Sequence, residues 1–286
     1  MATQQTWKEY KDWVSTVIKN KKEYYYRGQM DASWKLQTTF HRKATNLNIS
    51  LDTYLNEILT GVHYYICAWQ NEIINCQDPN EFGAFLALLQ HYGFPTPLLD
   101  WTLSPYIAAY FAFRDIDDTN PQCDYVKIFI FDFQEWSKTF QQLLDLRETK
   151  VAYVSILLPY ARFNSRIIHQ RGTYTVTNQP DMGAYILKRS KEVNKDFLYS
   201  FSLSVKERTA VMRELNLMGI NEMALFPGLD GICKTMKEWY FSKDQVGLTP
   251  SEFKALLESL KNTWLKENAS SAPDKLGKTI LGQSST

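Results

Sequence analysis

"YYYRGQ", residues 24 to 29, sets three tyrosines before an arginine and a glycine. Aromatic residues favour a pleated, half-buried strand, and alternation puts Tyr24 and Tyr26 on one face, Tyr25 and Arg27 on the other. Taken alone, Arg27 would cap a strand at the surface or face a bound anion. The strands it can join follow later: "YVKIFIF" (125–131), "VAYVSILL" (151–158), "GTYTVT" (172–177) and "FLYSFSL" (197–203) carry the same β-branched and aromatic bias.

Between them lie helices. Trp7, Tyr10, Trp13, Val14 and Val17 recur at helical spacing and predict a helix over 3–19. A long helix is expected from Leu51 to Asn75. Asp78 as N-cap, Pro79 at the first helical position and Glu81 completing a capping box start the next. Its stripe is Phe82, Phe85, Leu86 and Leu89, and Gly93 and Pro95 end it, leaving Gln90 and His91 in the last turn. Ser104 and Pro105 repeat the start signal for a helix packed by Ile107, Ala108, Phe111 and Ala112. Ser204 with Glu207 starts another, which ends near Gly219. Asp230 caps one running to Tyr240, and Thr249, Pro250 and Glu252 open a last one packed by Phe253, Leu256, Leu257, Leu260 and Trp264. Blocks of helices without a βαβ rhythm predict the α+β class: a mostly antiparallel, twisted sheet with helices packed around it. Residues 1–265 read as one domain, with helices 3–19 and 250–264 flanking its motifs. Residues 266–286 are small and polar and read as a disordered tail.

The 286 residues are enough for a substantial core, and 44% are apolar. Thirty-two basic against 31 acidic residues leave a net charge of +1, so there is no general pull toward nucleic acid or acidic membranes, although local basic patches leave nucleic acid open. Cys67, Cys76, Cys123 and Cys233 form no CxxC pair, and no histidine is read at ligand spacing, which argues against disulfides and a zinc site. No apolar run reaches membrane-spanning length and no signal core opens the chain, so a cytoplasmic location is expected. Walker, GxSxG, HExxH and EF-hand patterns are absent, and no metal is expected.

Four segments in order, "YYYRGQMDASWKL", "LLQHYGFPTPLLDWTLSPYIAAYFAF", "NSRIIHQRGTYTV" and "LNLMGINEMALFPGLDGI", resemble the FRG domain, named for its (Phe/Tyr)-Arg-Gly motif, from about Tyr24 to Trp239. One position departs from the family's usual "PTRLLDWT": Pro97 replaces the arginine, so a basic contact there is not carried over. A more distant resemblance is to ADP-ribosyltransferases of the arginine–serine–glutamate kind, and it implies an ADP-ribosyltransferase-like core. "YYYRG" resembles their aromatic-Arg-Gly strand. "DWTLSPYIAAYFAF" resembles their Ser-Thr-Ser strand entering a helix, with Thr102 and Ser104 in the polar positions, and Glu222 in "GINEMALF" is placed as the late acid.

That second resemblance implies NAD as a dinucleotide substrate, with a macromolecular acceptor or a regulatory protein partner. The resemblance to FRG-type proteins implies a setting in bacterial stress or phage defence, for instance as a toxin. A carboxylate, Glu222, would stabilise the positive charge that develops as the nicotinamide–ribose bond breaks. Arg27, followed by Gly28, would clamp pyrophosphate or ribose with a two-pronged hydrogen bond. Ser104 with the N–H groups of its helix would suit an anion. His91 and Tyr92 of "QHYG" would line the pocket, with tyrosine stacking on a ring. Arg166, Gln170 and Gly172 suggest a strand edge meeting the site.

Each residue has a plainer use. Ser104 caps its helix in any case, Thr102 can bond a turn, and His91 can complement a helix C-terminus. Asn221 can cap a helix that makes Glu222 a first-turn carboxylate, and Asp100 and Asp230 are rival acids. The alternative function is a non-catalytic ligand-binding or interaction module.

Overall fold

The structure, a computed structural model, describes residues 4–117, 120–143, 150–158, 166–241 and 250–268. Its strands are β1 (Gln4–Gln5), β2 (Tyr25–Gln29), β3 (Leu98–Thr102), β4 (Tyr125–Phe131), β5 (Val154–Leu157), β6 (Gly172–Thr177) and β7 (Leu198–Ser204). They make a seven-stranded sheet in the order β1-β7-β4-β2-β3-β6-β5. Every pairing is antiparallel except that of β1 with β7, so the fold is α+β with a mostly antiparallel sheet.

The helices are α1 (Trp7–Lys19), α2 (Thr39–Leu47), α3 (Leu51–Thr53), α4 (Leu59–Gln70), α5 (Pro79–His91), α6 (Pro105–Phe113) and α7 (Phe133–Thr139). They continue with α8 (Arg166–His169), α9 (Met182–Glu192), α10 (Arg208–Leu217), α11 (Glu222–Leu225), α12 (Leu229–Phe241) and α13 (Pro250–Asn268). The chain divides into two compact units, Met1–Ile232, which holds the sheet, and Cys233–Thr286.

The alternation read from the tyrosines holds. Tyr24 and Tyr26 enter a core with Tyr10 and Val14 of α1 and Ala108, Ala112 and Phe113 of α6. Tyr25 joins Leu99, Trp101 and Phe131 in a different core, its ring stacked on Phe133 at 3.8 Å. A third core packs Phe85 and Leu86 of α5 over Leu98 and Val176. Leu98 and Leu99 thus serve different cores, so β3 is apolar on both sides and lacks the alternation that marks a half-exposed strand.

Two features of β2 position the site. Its five residues pair in full with β4, but with β3 it shares one registered pair, Tyr26 opposite Thr102. Beyond that pair the two strands part. On β2, Gly28 lies directly under α6: a Cβ there would stand 2.0 Å from the Ala108 carbonyl oxygen and 2.5 Å from the Ala112 nitrogen. Only glycine permits so close an approach of strand and helix backbones.

Several local expectations change. The opening helix begins at Trp7 and not at residue 3, because Thr6 and Glu9 form a capping box while Gln4–Gln5 pair with β7. The long helix from Leu51 is interrupted by a π-helical turn at Tyr54–Ile58 and stops at Gln70, where Asn71 takes a left-handed conformation (φ 54°). Asp78 caps α5, but Glu81 accepts from Asn75 N at 2.7 Å, so no reciprocal capping box forms. Ser204 starts a short 3-10 turn before α10, and Glu207 accepts instead from Trp7 N. Asp230 lies in the first turn of α12 and is not its cap. On α13, Phe253, Leu256, Leu257, Leu260 and Trp264 are each at least 44% exposed and not packed as expected. Thr249, residues 161–165 and all of the expected tail after residue 268 lie outside the described residues.

None of the four cysteines is in a disulfide. Cys67 does have a histidine at helical spacing, contrary to the sequence reading: its Sγ lies 3.3 Å from His63 Nε2. Because that nitrogen is also 2.8 Å from the Ile74 carbonyl oxygen, the pair fastens the loop after α4. No helix among the described residues is long and apolar enough to cross a membrane.

Candidate functional site

Where β2 and β3 part, a cavity of about 360 Å³ opens. Tyr26, Arg27 and Gly28 of β2 and Asp100, Trp101 and Thr102 of β3 form its floor. Gln90 and His91 close one side from the last turn of α5, and Phe111, Arg114 and Asp115 close another at the end of α6. An adjoining cavity of about 540 Å³ shares Arg27, Gly28, Phe111 and Asp115 with the first and continues past Gln29, Trp34, Lys35 and Arg42.

Arg27 stands at the junction. Its Nη1 donates to the Asp100 carbonyl oxygen at 2.8 Å and lies 3.8 Å from Asp100 Oδ2. A side chain thus replaces the backbone ladder that stops at Tyr26. The Arg27 Nε is buried and has no hydrogen-bond partner among the described residues. Desolvation pushes this guanidinium below its ordinary value, Asp100 opposes the push, and Arg42 adds to it. Arg42 shows the same direction for the same first cause, countered by Asp100. An anion at the junction would relieve both the lost solvation and the like-charge repulsion.

A second arginine faces the first cavity. Arg114 Nη2 meets Glu222 Oε1 at 3.1 Å, and Tyr110 donates its hydroxyl to Glu222 Oε2 at 2.5 Å. The guanidinium sits 4.7 Å from the Phe226 ring centre and 5.7 Å from that of Phe111. Asn221 caps α11 through Ala224 N, so Glu222 is a first-turn carboxylate. Glu222 is buried and does not itself line either cavity; its carboxylate holds a cation that does.

The other residues singled out in the sequence divide in two. Arg27, Gly28, His91 and Thr102 come together around the first cavity, and Asp100, one of the rival acids, joins them. Thr102 donates to the Gln170 carbonyl oxygen at 2.7 Å and accepts from Ser104 N at 3.1 Å, tying β3 to the turn before β6. Ser104 is buried and accepts from Ile107 N as the cap of α6. Tyr92 is 76% exposed and, like Ser104 and Asp230, lines neither cavity. Gly28 owes its place to the contact with α6 described above. Gln170 and Gly172 do meet the cavity, at the start of β6.

Arg114, Asp115 and Arg42 were missed. A signal existed for Arg114, the first charge after the apolar run "YIAAYFAF". Arg42 had none, because its helix was not recognised. Among the described residues no group of three His, Cys, Asp or Glu side chains could hold a metal ion.

Part of the cleft falls within a family match. Residues 22–121 match the family model of the FRG domain. The matched stretch supplies β2, β3, α6 and the three arginines of the cavities, Arg27, Arg42 and Arg114, while the "NSRIIHQRGTYTV" and "LNLMGINEMALFPGLDGI" segments lie beyond it. No curated protein and no solved structure matches the chain.

Proposed function

We propose that the cleft binds NAD and that the protein is an NAD-using ADP-ribosyltransferase or NAD glycohydrolase. The observation that carries this reading is Arg27, with its unpartnered Nε, at the junction of two adjoining cavities. A ligand with a ring system on each side of a pyrophosphate suits that layout. Arg27 would hold the pyrophosphate, and Arg114, braced by Glu222, would add positive charge on the opposite wall. Asp100 is the carboxylate nearest Arg27 and lines the smaller cavity. On this reading it faces the ribose and stabilises developing positive charge, while Glu222 acts as a positioning residue. The chemistry supplied is cleavage of the nicotinamide–ribose bond, whose electron pair leaves with nicotinamide; a water or acceptor oxygen then bonds to the ribose carbon and loses a proton. A role in stress or phage defence fits such an activity.

The test is calorimetry with NAD and ADP-ribose on the full chain, together with free nicotinamide measured over time. Binding, with nicotinamide release lost in Asp100→Asn and both binding and release weakened in Arg27→Ala, is the expected result. No binding of either ligand overturns the proposal.

A second reading, a non-catalytic module, is favoured by the engagement of both acids: Glu222 with Arg114 and Tyr110, Asp100 beside Arg27. It predicts NAD or ADP-ribose binding with no nicotinamide release, and Asp100→Asn that binds as wild type.

A further inference from the structure

The larger cavity has chemistry of its own. Trp34 lies in its wall with about half its surface exposed (51%), and its carbonyl oxygen accepts from Gln29 Nε2 at 3.3 Å, which holds the loop to β2. Arg42, an exposed residue of α2, donates from Nη1 to the Gln37 carbonyl oxygen at 2.6 Å; no other side-chain hydrogen bond of Arg42 is found among the described residues. Lys35, also in the wall, is 72% exposed and only loosely paired with Asp181 at 3.6 Å. The wall therefore holds three cations, Arg27, Lys35 and Arg42, against one carboxylate, Asp115, and one exposed aromatic ring. Positive charge beside a ring suits a base that carries a phosphate.

We propose that this cavity is a purine nucleotide subsite, in which the base stacks on Trp34 and the phosphate bridges Arg27 and Arg42. The assignment rests on the dinucleotide reading and gives it a direction. The adenosine half enters the larger cavity of about 540 Å³, and the smaller nicotinamide half enters the one of about 360 Å³. Trp34 and Arg42 are both exposed, so their replacement leaves the core packing untouched.

Calorimetry on the full chain with AMP, ADP-ribose and nicotinamide mononucleotide tests it, with melting temperature as the folding control. Trp34→Ala and Arg42→Ala are each expected to weaken AMP and ADP-ribose by about tenfold or more, the usual effect of losing one base stack or one charged contact, and to leave nicotinamide mononucleotide within about twofold. If both variants bind AMP and ADP-ribose as the wild type does, the subsite is wrong, and the dinucleotide reading still stands where Arg27→Ala weakens ADP-ribose binding. If AMP binds through Trp34 and Arg42 while NAD and ADP-ribose do not bind, the subsite stands and the dinucleotide reading falls. If none of the ligands binds wild-type protein, both fall.

Discussion

Arg27 donates to the main-chain carbonyl oxygen of Asp100 at 2.8 Å, spanning the gap that opens once Tyr26 and Thr102 have made the last strand pair. One side chain thus both closes the sheet and borders the cleft. Replacing it should produce two separable effects. Arg27→Ala should cost about 0.5–1.5 kcal/mol of stability through the lost bridge, read by chemical denaturation. It should weaken ADP-ribose by roughly 10- to 100-fold, the range for a charged hydrogen bond. Arg27→Lys keeps the charge but not the fork and should recover little of the affinity. Full affinity in Arg27→Lys would mean that charge alone suffices.

Gly28→Ala should damage the fold before it touches ligand binding. The added carbon meets backbone atoms of α6 at 2.0 and 2.5 Å, which no rotamer change can relieve. A loss of about 3 kcal/mol or more is expected, at the upper end for overpacking. A urea midpoint equal to wild type would show that β2 and α6 are further apart than described.

Glu222→Ala should strand Arg114 in a largely desolvated position. Breaking a buried pair costs about 3–5 kcal/mol, and the lower end is expected because Arg114 keeps 16% of its side chain exposed. Arg114→Met with Glu222→Leu should restore most of that stability. Ligand affinity should then stay low, because the cavity wall has lost its cation. A double variant as unstable as Glu222→Ala would place the role of Glu222 elsewhere.

His41 should give the fold an acid limit. Burial pushes its imidazole from 6.5 down to about 4, and Nδ1 shares a hydrogen bond with the Thr38 hydroxyl at 2.7 Å. The folded state then binds its proton later than the unfolded state as pH falls. Its contribution is intact above about pH 6.5, declines as pH falls, and is fully lost below about pH 4, a change of about 3 kcal/mol. Stability curves of wild type and His41→Gln over that interval should converge toward acid pH. Parallel curves would remove His41 as the cause.

The parts of this fold that could be read in the sequence are those whose cause is local. Ser104-Pro105 and Asp78-Pro79 announce helix starts because the cap, the backbone N–H that donates to it and the fixed proline φ lie within four residues. "YVKIFIF" and "GTYTVT" match β4 and β6 residue for residue. Leu98–Thr102 escaped the periodicity reading because the consecutive Leu98 and Leu99 fill cores on opposite faces. The site was legible only in part for a related reason: Arg27, His91 and Thr102 sit in motifs, but their shared cavity depends on where two strands stop pairing. The Arg114–Glu222 pair spans 108 residues, and nothing near either residue points to the other.

The contact of Gly28 with Ala108 and Ala112 also limits how this cleft can vary. Arg27 directly precedes that contact on the strand, and Arg114 lies two residues past Ala112, so the backbone spacing from which the two arginines reach out is set by main chain against main chain. Exchanging core side chains cannot widen or narrow it. A change of ligand size has to be written in the walls, at Trp34, Phe111 or Phe226, and a variant library aimed at altered ligand choice belongs at those three positions.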